Sequence, residues 1–383
     1  MPRKRSGWPS RFTHLKCSSC GRVFKPRPLN VCKCGKPLLA QYNLKGMRRD
    51  ELLNRRDLWR YAPLLPVADE KNVISLGEGA TPLIECRKLR RILKVGKVFV
   101  KDDGVNPTGT FKSRGMAVAV SKAKELGITR LAVPTTGSAG SAMAAYAQKA
   151  GAKAFVAFAR GAPSIHVKMA KAFGAEVRQC RGFINEAAAV VQDFCAKNGY
   201  FNIATIKEPY RMEGKKTITM EIAEELGDLP DAILFPVGGG TGIVGAWKAW
   251  MELRKLGWAK KTPRLYCIQA EGCAPVFKAW GEGRADAEVW PDVRTRASGL
   301  AIPKPFADEL ILKAIRETDG GSVAVSDTEM RAAAKDIEKL EGISECLEGA
   351  ATWAGAKLIA ELGIVGPDDT VVLLNTGRRI PGT

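Results

Sequence analysis

From residue 98 onward, short runs of β-branched and aromatic residues alternate with longer stretches in which apolar positions recur at helical spacing. The runs at 98–100, 131–133, 154–157, 232–235, 265–268 and 371–374 predict strands. The amphipathic stretches at 113–125, 139–149, 165–173, 187–198, 216–226 and 243–256 predict helices. Strand and helix alternating at this length predict an α/β fold of open, mostly parallel sheets covered on both faces. Ligands on such sheets bind beyond the carboxyl ends of the strands. Each glycine-rich segment of this chain follows a predicted strand, where that rule puts a site.

Length and charge refine this picture. A chain of 383 residues is too long for one core and predicts two main domains with a small appendage. Residues 1–60 stand apart by composition, with 16 Lys and Arg against 3 Asp and Glu. The other 323 residues carry 44 against 37, so most of the net charge of +20 belongs to the N-terminal segment. Such a segment either binds nucleic acid or another polyanion, or is a solvated extension. No apolar run approaches the ~18 residues needed to span a bilayer, so no membrane partner is expected. The basic start, Met1 to Arg5, lacks a following apolar region, and a cytoplasmic enzyme is the expectation. Six of the ten cysteines are scattered without paired spacing, as buried free thiols in a reducing compartment are.

The other four cysteines form Cys17-x-x-Cys20 and Cys32-x-Cys34, each pair followed by a glycine (Gly21, Gly35) that permits a tight turn. Two close pairs joined by a short loop are the ligand arrangement of a structural zinc ribbon. Four thiolates close the tetrahedron, so the metal would hold structure together and leave no position open for catalysis.

The chemistry-bearing segments lie further on. Asn106-Pro107-Thr108-Gly109-Thr110-Phe111-Lys112-Ser113-Arg114-Gly115 follows a strand and opens a helix. The positive end of a helix dipole disfavours a protonated lysine there, and a neutral amine is what Schiff-base chemistry requires. Pro236-Val237-Gly238-Gly239-Gly240-Thr241-Gly242 offers close backbone approach and free helix-start amides to an anion, a phosphate being the natural guest. The register is wrong for a dinucleotide fingerprint. Thr135-Thr136-Gly137-Ser138-Ala139-Gly140-Ser141 has hydroxyls and amides suited to a carboxylate, or to an ordinary helix cap.

The Lys112 segment closely resembles the cofactor-lysine motif of the threonine synthase family and, more loosely, that of serine and threonine dehydratases. All are fold-type II enzymes dependent on pyridoxal 5'-phosphate (PLP), with a tryptophan synthase β-like architecture. The resemblance runs from about Ser75 to the C-terminus, and some members carry an N-terminal ribbon. It implies two open parallel-sheet domains: a large PLP-binding domain from 61–105 and 201–383, and a small mobile domain at 106–200, after the zinc-ribbon segment 1–60. It implies that Lys112, beside Phe111, holds PLP covalently and shuttles protons. It also implies that Gly238, Gly239, Gly240, Thr241 and Gly242 hold the PLP phosphate and that Thr376 meets the pyridine nitrogen. Thr135, Thr136, Gly137 and Ser141 would grip the substrate carboxylate. Ser138 stands where the family commonly has an asparagine that touches the PLP ring hydroxyl.

Arg211 matches an arginine that binds the substrate phosphate in threonine synthases. Its usual Asn and Ser companions are Thr205 and Ile206 here, and Arg211 could instead pair with a substrate carboxylate, Glu208 or Glu213. Glu348 lies in a segment that lines the cofactor face in the family, which implies either a general acid or a structural, ion-paired glutamate. The resemblance implies a homodimer making L-threonine and phosphate from O-phosphohomoserine. Two alternatives stand beside it. One is a dehydratase, ammonia-lyase or β-replacement enzyme acting on serine, threonine, phosphoserine or another β-substituted amino acid. The other is a zinc-ribbon protein that binds nucleic acid or a protein partner. His14 and His166 are read as structural.

Overall fold

The computed structural model describes residues 8–379; the Arg3-Lys4-Arg5 run lies outside them. The chain divides into two compact units, one of Met1–Ala80 with Lys112–Thr217, the other of Thr81–Phe111 with Ile218–Thr383.

The first unit holds two sheets. Strands Phe12–Cys17, Val23–Phe24 and Leu38–Tyr42 form a small antiparallel sheet with Phe12–Cys17 central. Strands Arg130–Thr135, Lys153–Phe158, Glu176–Gln179 and Phe201–Asn202 form a parallel sheet. Its crossovers are the helices Ser138–Lys149, Ser164–Ala172 and Ile184–Asn198. One apolar core unites both sheets: Leu15, Phe24 and Leu38 pack in the same cluster as Met116, Leu131 and Val156. The ribbon is thus built into this unit. Tyr42 reinforces the join by donating its hydroxyl to Glu213 (2.7 Å). Lys216, paired with Glu213 at 2.7 Å, lies 4.0 Å from the centre of the Tyr42 ring.

A buried carboxylate fixes the segment leading into this unit's helices. Glu78 accepts hydrogen bonds from Trp59 Nε1 (3.1 Å), Tyr146 Oη (2.6 Å) and the Leu76 amide (2.8 Å). Burial pushes its pKa up, and these donors offset that cost.

The second unit holds a six-stranded sheet. Its spatial order is Gly321–Val325, Arg264–Ala270, Ala232–Pro236, Thr370–Asn375, Lys97–Asp102 and Leu83–Glu85. All neighbours are parallel except the edge strand Leu83–Glu85. Val98, Val100, Leu234, Ile268, Val371 and Leu373 bury one face against Ala350, Trp353 and Ile359 of helix Leu347–Glu361. Among the described residues no helix is long and apolar enough to cross a membrane.

Candidate active site

In the second unit three adjacent strands deliver their carboxyl ends to one edge. Strand Ala232–Pro236 runs into the glycine segment, and Gly240 (φ +82°) turns the chain into helix Thr241–Lys255. Gly240, at the N-cap, has no side chain with which to cap that helix. Its first amides therefore have no intrahelical acceptor, and they face outward with the dipole behind them. A Cβ at Gly238 would overlap the Gly299 carbonyl oxygen, and one at Gly240 would overlap Ile311. The Gly299 amide in turn donates to Glu348 Oε1 (2.7 Å), so Glu348 braces the segment that lies against Gly238.

Strand Thr370–Asn375 ends beside this cradle. The Thr376 carbonyl accepts from the Phe111 amide (2.9 Å), and Thr110 bridges to Gly377. A Cβ at Gly242 would touch the Phe111 ring at 3.6 Å. Phe111, the glycine segment and Thr376 are therefore grouped at one sheet edge. Cys346, which sequence reasoning passed over, joins them with Sγ 3.6 Å from Thr376 Oγ1. Burial pushes this thiol well above its ordinary pKa, so it stays protonated beside the threonine hydroxyl. A narrow, uncapped, glycine-walled helix start fits a phosphate, and a protected hydroxyl beside an aromatic ring fits a heteroaromatic edge.

In the first unit Lys112 is the first residue of helix Lys112–Glu125. This helix start is packed tightly: a Cβ at Gly115 would lie 2.9 Å from the Arg211 carbonyl oxygen, and one at Gly214 would overlap that of Arg114. The segment after strand Arg130–Thr135 is equally constrained. Thr135 Oγ1 accepts from the Gly137 amide (2.9 Å) and lies 3.1 Å from the Gly137 carbonyl. Ser141 Oγ lies 3.1 Å from the Ser138 carbonyl and 3.0 Å from His166 Nδ1. These two hydroxyls shape the loop, while Thr136 and Ser138 are partly exposed.

His166 was read from sequence as a lone structural histidine. Helix Ser164–Ala172 follows the neighbouring parallel strand, so its first turn comes to lie against the 135–141 loop. The ring is buried and held neutral, its pKa pushed down to about 4 by burial. The usable signal was topological, because loops after adjacent parallel strands are neighbours.

Arg211 opens helix Arg211–Leu226, which begins before the expected 216. Its guanidinium is buried and donates to the Ile203 carbonyl (2.7 Å). Glu208 accepts from the Tyr210 and Arg211 amides (3.0 and 2.8 Å) and caps this helix. Burial raises its pKa to about 7, and burial lowers that of Arg211 to about 10. Ile206 is buried in the left-handed region (φ +58°).

Comparison with known proteins bears on what these pieces serve. The model of the pyridoxal-phosphate dependent enzyme family matches residues 74–377. The chain is 37% identical to the threonine synthase of Methanosarcina acetivorans over 96% of its own length and 92% of the relative's. The chain belongs to the threonine synthase family. The relative from Methanocaldococcus jannaschii is 33% identical over 95% of this chain and 92% of its own. Among solved structures, maize serine racemase superposes with a TM-score of 0.67 at 20% identity, covering 79% of this chain and 90% of that one. The processed form of threonine deaminase isoform 2 from Solanum lycopersicum gives 0.66 at 21%, covering 79% and 80%. These likenesses establish the fold-type II architecture expected from the sequence.

Proposed function

We propose that this protein is a PLP-dependent threonine synthase, converting O-phosphohomoserine and water to L-threonine and phosphate. The observation that carries this reading is likeness to threonine synthases along nearly the whole chain, ribbon included. When bound, PLP supplies an electron sink that acidifies hydrogens on substrate carbons. In this reading the glycine segment 238–242 would hold its phosphate and Thr376 would meet its pyridine nitrogen, with Phe111 also on the cofactor-binding edge and Ser138 standing at the position of the family's ring-contacting asparagine. A hydroxyl at Thr376 cannot keep the pyridine nitrogen protonated as a carboxylate would, which suits elimination more than transamination. Lys112 holds the cofactor and then moves protons at Cα and Cβ of the substrate. Thr136 and the helix-start amides bind the substrate carboxylate, with Thr135, Gly137 and Ser141 holding the loop in shape. Arg211 is the candidate for the substrate phosphate. A lyase acting on L-threonine or L-serine is the second reading, favoured by Ile206, an apolar side chain buried where threonine synthases commonly offer phosphate a serine. Phosphorus NMR should show one phosphate released per O-phosphohomoserine consumed; an unchanged substrate resonance after prolonged incubation would overturn the assignment.

The phosphate cradle gives a sharper expectation. Gly238→Ala introduces a methyl that collides with the Gly299 carbonyl, so the segment must shift. PLP affinity should fall by at least ~10-fold, equivalent to ~1.4 kcal/mol. Fluorescence titration of the apoenzyme with PLP measures this, and unchanged affinity would count against the cradle.

Zinc belongs to the same reading. The Sγ atoms of Cys17, Cys20, Cys32 and Cys34 all lie within 4.8 Å of one another. The closest pairs are Cys17–Cys34 at 3.5 Å, Cys20–Cys32 at 3.6 Å and Cys20–Cys34 at 3.7 Å. Four sulfurs ~2.3 Å from a zinc ion stand ~3.8 Å apart, so the group fits the metal. Purified protein should contain one zinc per chain by elemental analysis. Chelation should open residues 12–42 to protease, because the small sheet has little core of its own. Equal protease resistance with and without metal would contradict a structural zinc site. The family resemblance also leads us to propose a homodimer.

A further inference from the structure

The ribbon has a property that neither catalysis nor zinc binding requires. Residues 1–49 contain 13 Lys and Arg and no Asp or Glu. Within 16–36, six basic residues face no acidic one. If zinc with four thiolates carries about −2, this stretch still has a net charge of about +4. Five of these cations, Lys16, Arg22, Lys25, Arg27 and Lys33, are exposed, and none enters an ion pair among the described residues. Elsewhere in the chain some exposed cations are paired, as in Arg48–Asp50 and Lys197–Asp193, and others, such as Lys255, Lys335 and Lys339, enter none of the described ion pairs, so what sets the ribbon apart is that its sequence holds no carboxylate at all. An isolated solvated face gains nothing from excluding every carboxylate over 49 residues, whereas a surface meeting a polyanion does.

The chemistry of the surface selects among polyanions. The sole aromatic residue of 16–36, Phe24, is buried in the core of the unit and offers no face for stacking an unpaired base. Val23 is the only exposed large hydrophobic residue of this stretch, too little to insert into a bilayer. What remains is a set of point charges for closely spaced phosphates. We propose that the exposed cations of the cysteine ribbon dock this enzyme on the phosphate backbone of double-helical nucleic acid, without reading base sequence. Duplex offers the highest linear charge density, and counterion release drives the association. The docking surface is independent of the assignment of the catalysed reaction.

Deleting residues 1–60 would be a poor test, because Leu15, Phe24 and Trp59 belong to the core of the first unit. Charge-neutralising substitutions at exposed positions avoid this. The full chain, loaded with zinc and PLP, should bind a fluorescein-labelled RNA duplex in an anisotropy titration. The logarithm of its affinity should fall linearly with the logarithm of salt concentration. The triple variant Lys16→Gln, Arg22→Gln, Lys25→Gln should bind at least ~10-fold more weakly, its salt slope falling by ~0.9 per lost phosphate contact. A control triple, Lys255→Gln, Lys335→Gln, Lys339→Gln, removes the same charge from exposed positions in the second unit. It should retain most of the affinity, and both triples should keep wild-type steady-state rates. Equal weakening by both triples would reduce the effect to net charge and overturn the proposal. So would no binding at low salt, or binding to anionic phospholipid vesicles in preference to duplex.

Discussion

Lys112→Ala is expected to leave a folded protein with turnover reduced by at least ~10³-fold, the scale of losing a positioned proton-transfer group and a covalent anchor together. Three features converge on this residue. It opens helix Lys112–Glu125, where the dipole favours the neutral amine. It follows Phe111, whose amide is tied to the Thr376 carbonyl at the edge carrying the glycine cradle. The helix start is held by the Gly115 and Gly214 contacts, so the side chain emerges from a rigid base. Alanine is the best helix former, so the melting temperature should change little. The visible absorption band of covalently held PLP should vanish, while non-covalent PLP can still bind through its phosphate. A variant that keeps both band and turnover would remove Lys112 from the chemistry.

The second large effect concerns stability and pH. Glu345 is buried, and neither of its carboxyl oxygens has a hydrogen-bond partner among the described residues. Burial, helped by the charge of Asp102, pushes its pKa up to about 8. The folded state therefore keeps a proton that the unfolded chain releases near its ordinary carboxyl pKa of ~4.3. Between those two values the folded state binds more protons, so stability falls as pH rises, by up to ~1.4 kcal/mol per pH unit for this group. It levels off above the folded pKa. Glu208, raised to about 7 by burial, adds a smaller term of the same sign. Glu345→Gln should therefore flatten much of the decline and stabilise the protein at pH 8 by several kcal/mol relative to its effect at pH 5. Denaturant melts of both proteins at the two pH values measure this, and parallel pH profiles would show that Glu345 does not carry the linkage.

Six strands of the two parallel sheets were legible because they are short runs of β-branched and aromatic residues bounded by turns. Strand 232–235 and helix 243–256, for instance, became Ala232–Pro236 and Thr241–Lys255. Other elements hid for identifiable reasons. Leu347–Glu361 is apolar and small-sided all round, with Gly349 to Ala356 buried, so it shows no amphipathic period. The first turn of Arg211–Leu226 reads as a charged loop because its Glu213, Lys215 and Lys216 are buried by tertiary packing. Glu176–Gln179 is a short, largely exposed edge strand with little apolar signal. Asp327–Glu341 did carry a readable start, Ser326 and Glu329 forming a capping box.

The site was legible where it depends on local backbone, as at the glycine segment and the Lys112 helix start. It was not legible where it depends on neighbouring loops. The contacts of His166 with Ser141, and of Cys346 with Thr376, join residues 25 and 30 positions apart that no local pattern links. Glu348, read as a general acid or an ion pair, proves to accept a hydrogen bond from the Gly299 amide, a partner that only the fold supplies.

The most direct measurement is mass-spectrometric product analysis of the PLP-loaded protein in water labelled with heavy oxygen, incubated separately with O-phosphohomoserine and with L-threonine. The account predicts threonine carrying one labelled hydroxyl oxygen, with phosphate, from the first substrate, and no 2-oxobutanoate from the second. Formation of 2-oxobutanoate and ammonia from L-threonine, with O-phosphohomoserine untouched, would contradict it and assign the protein to the lyases.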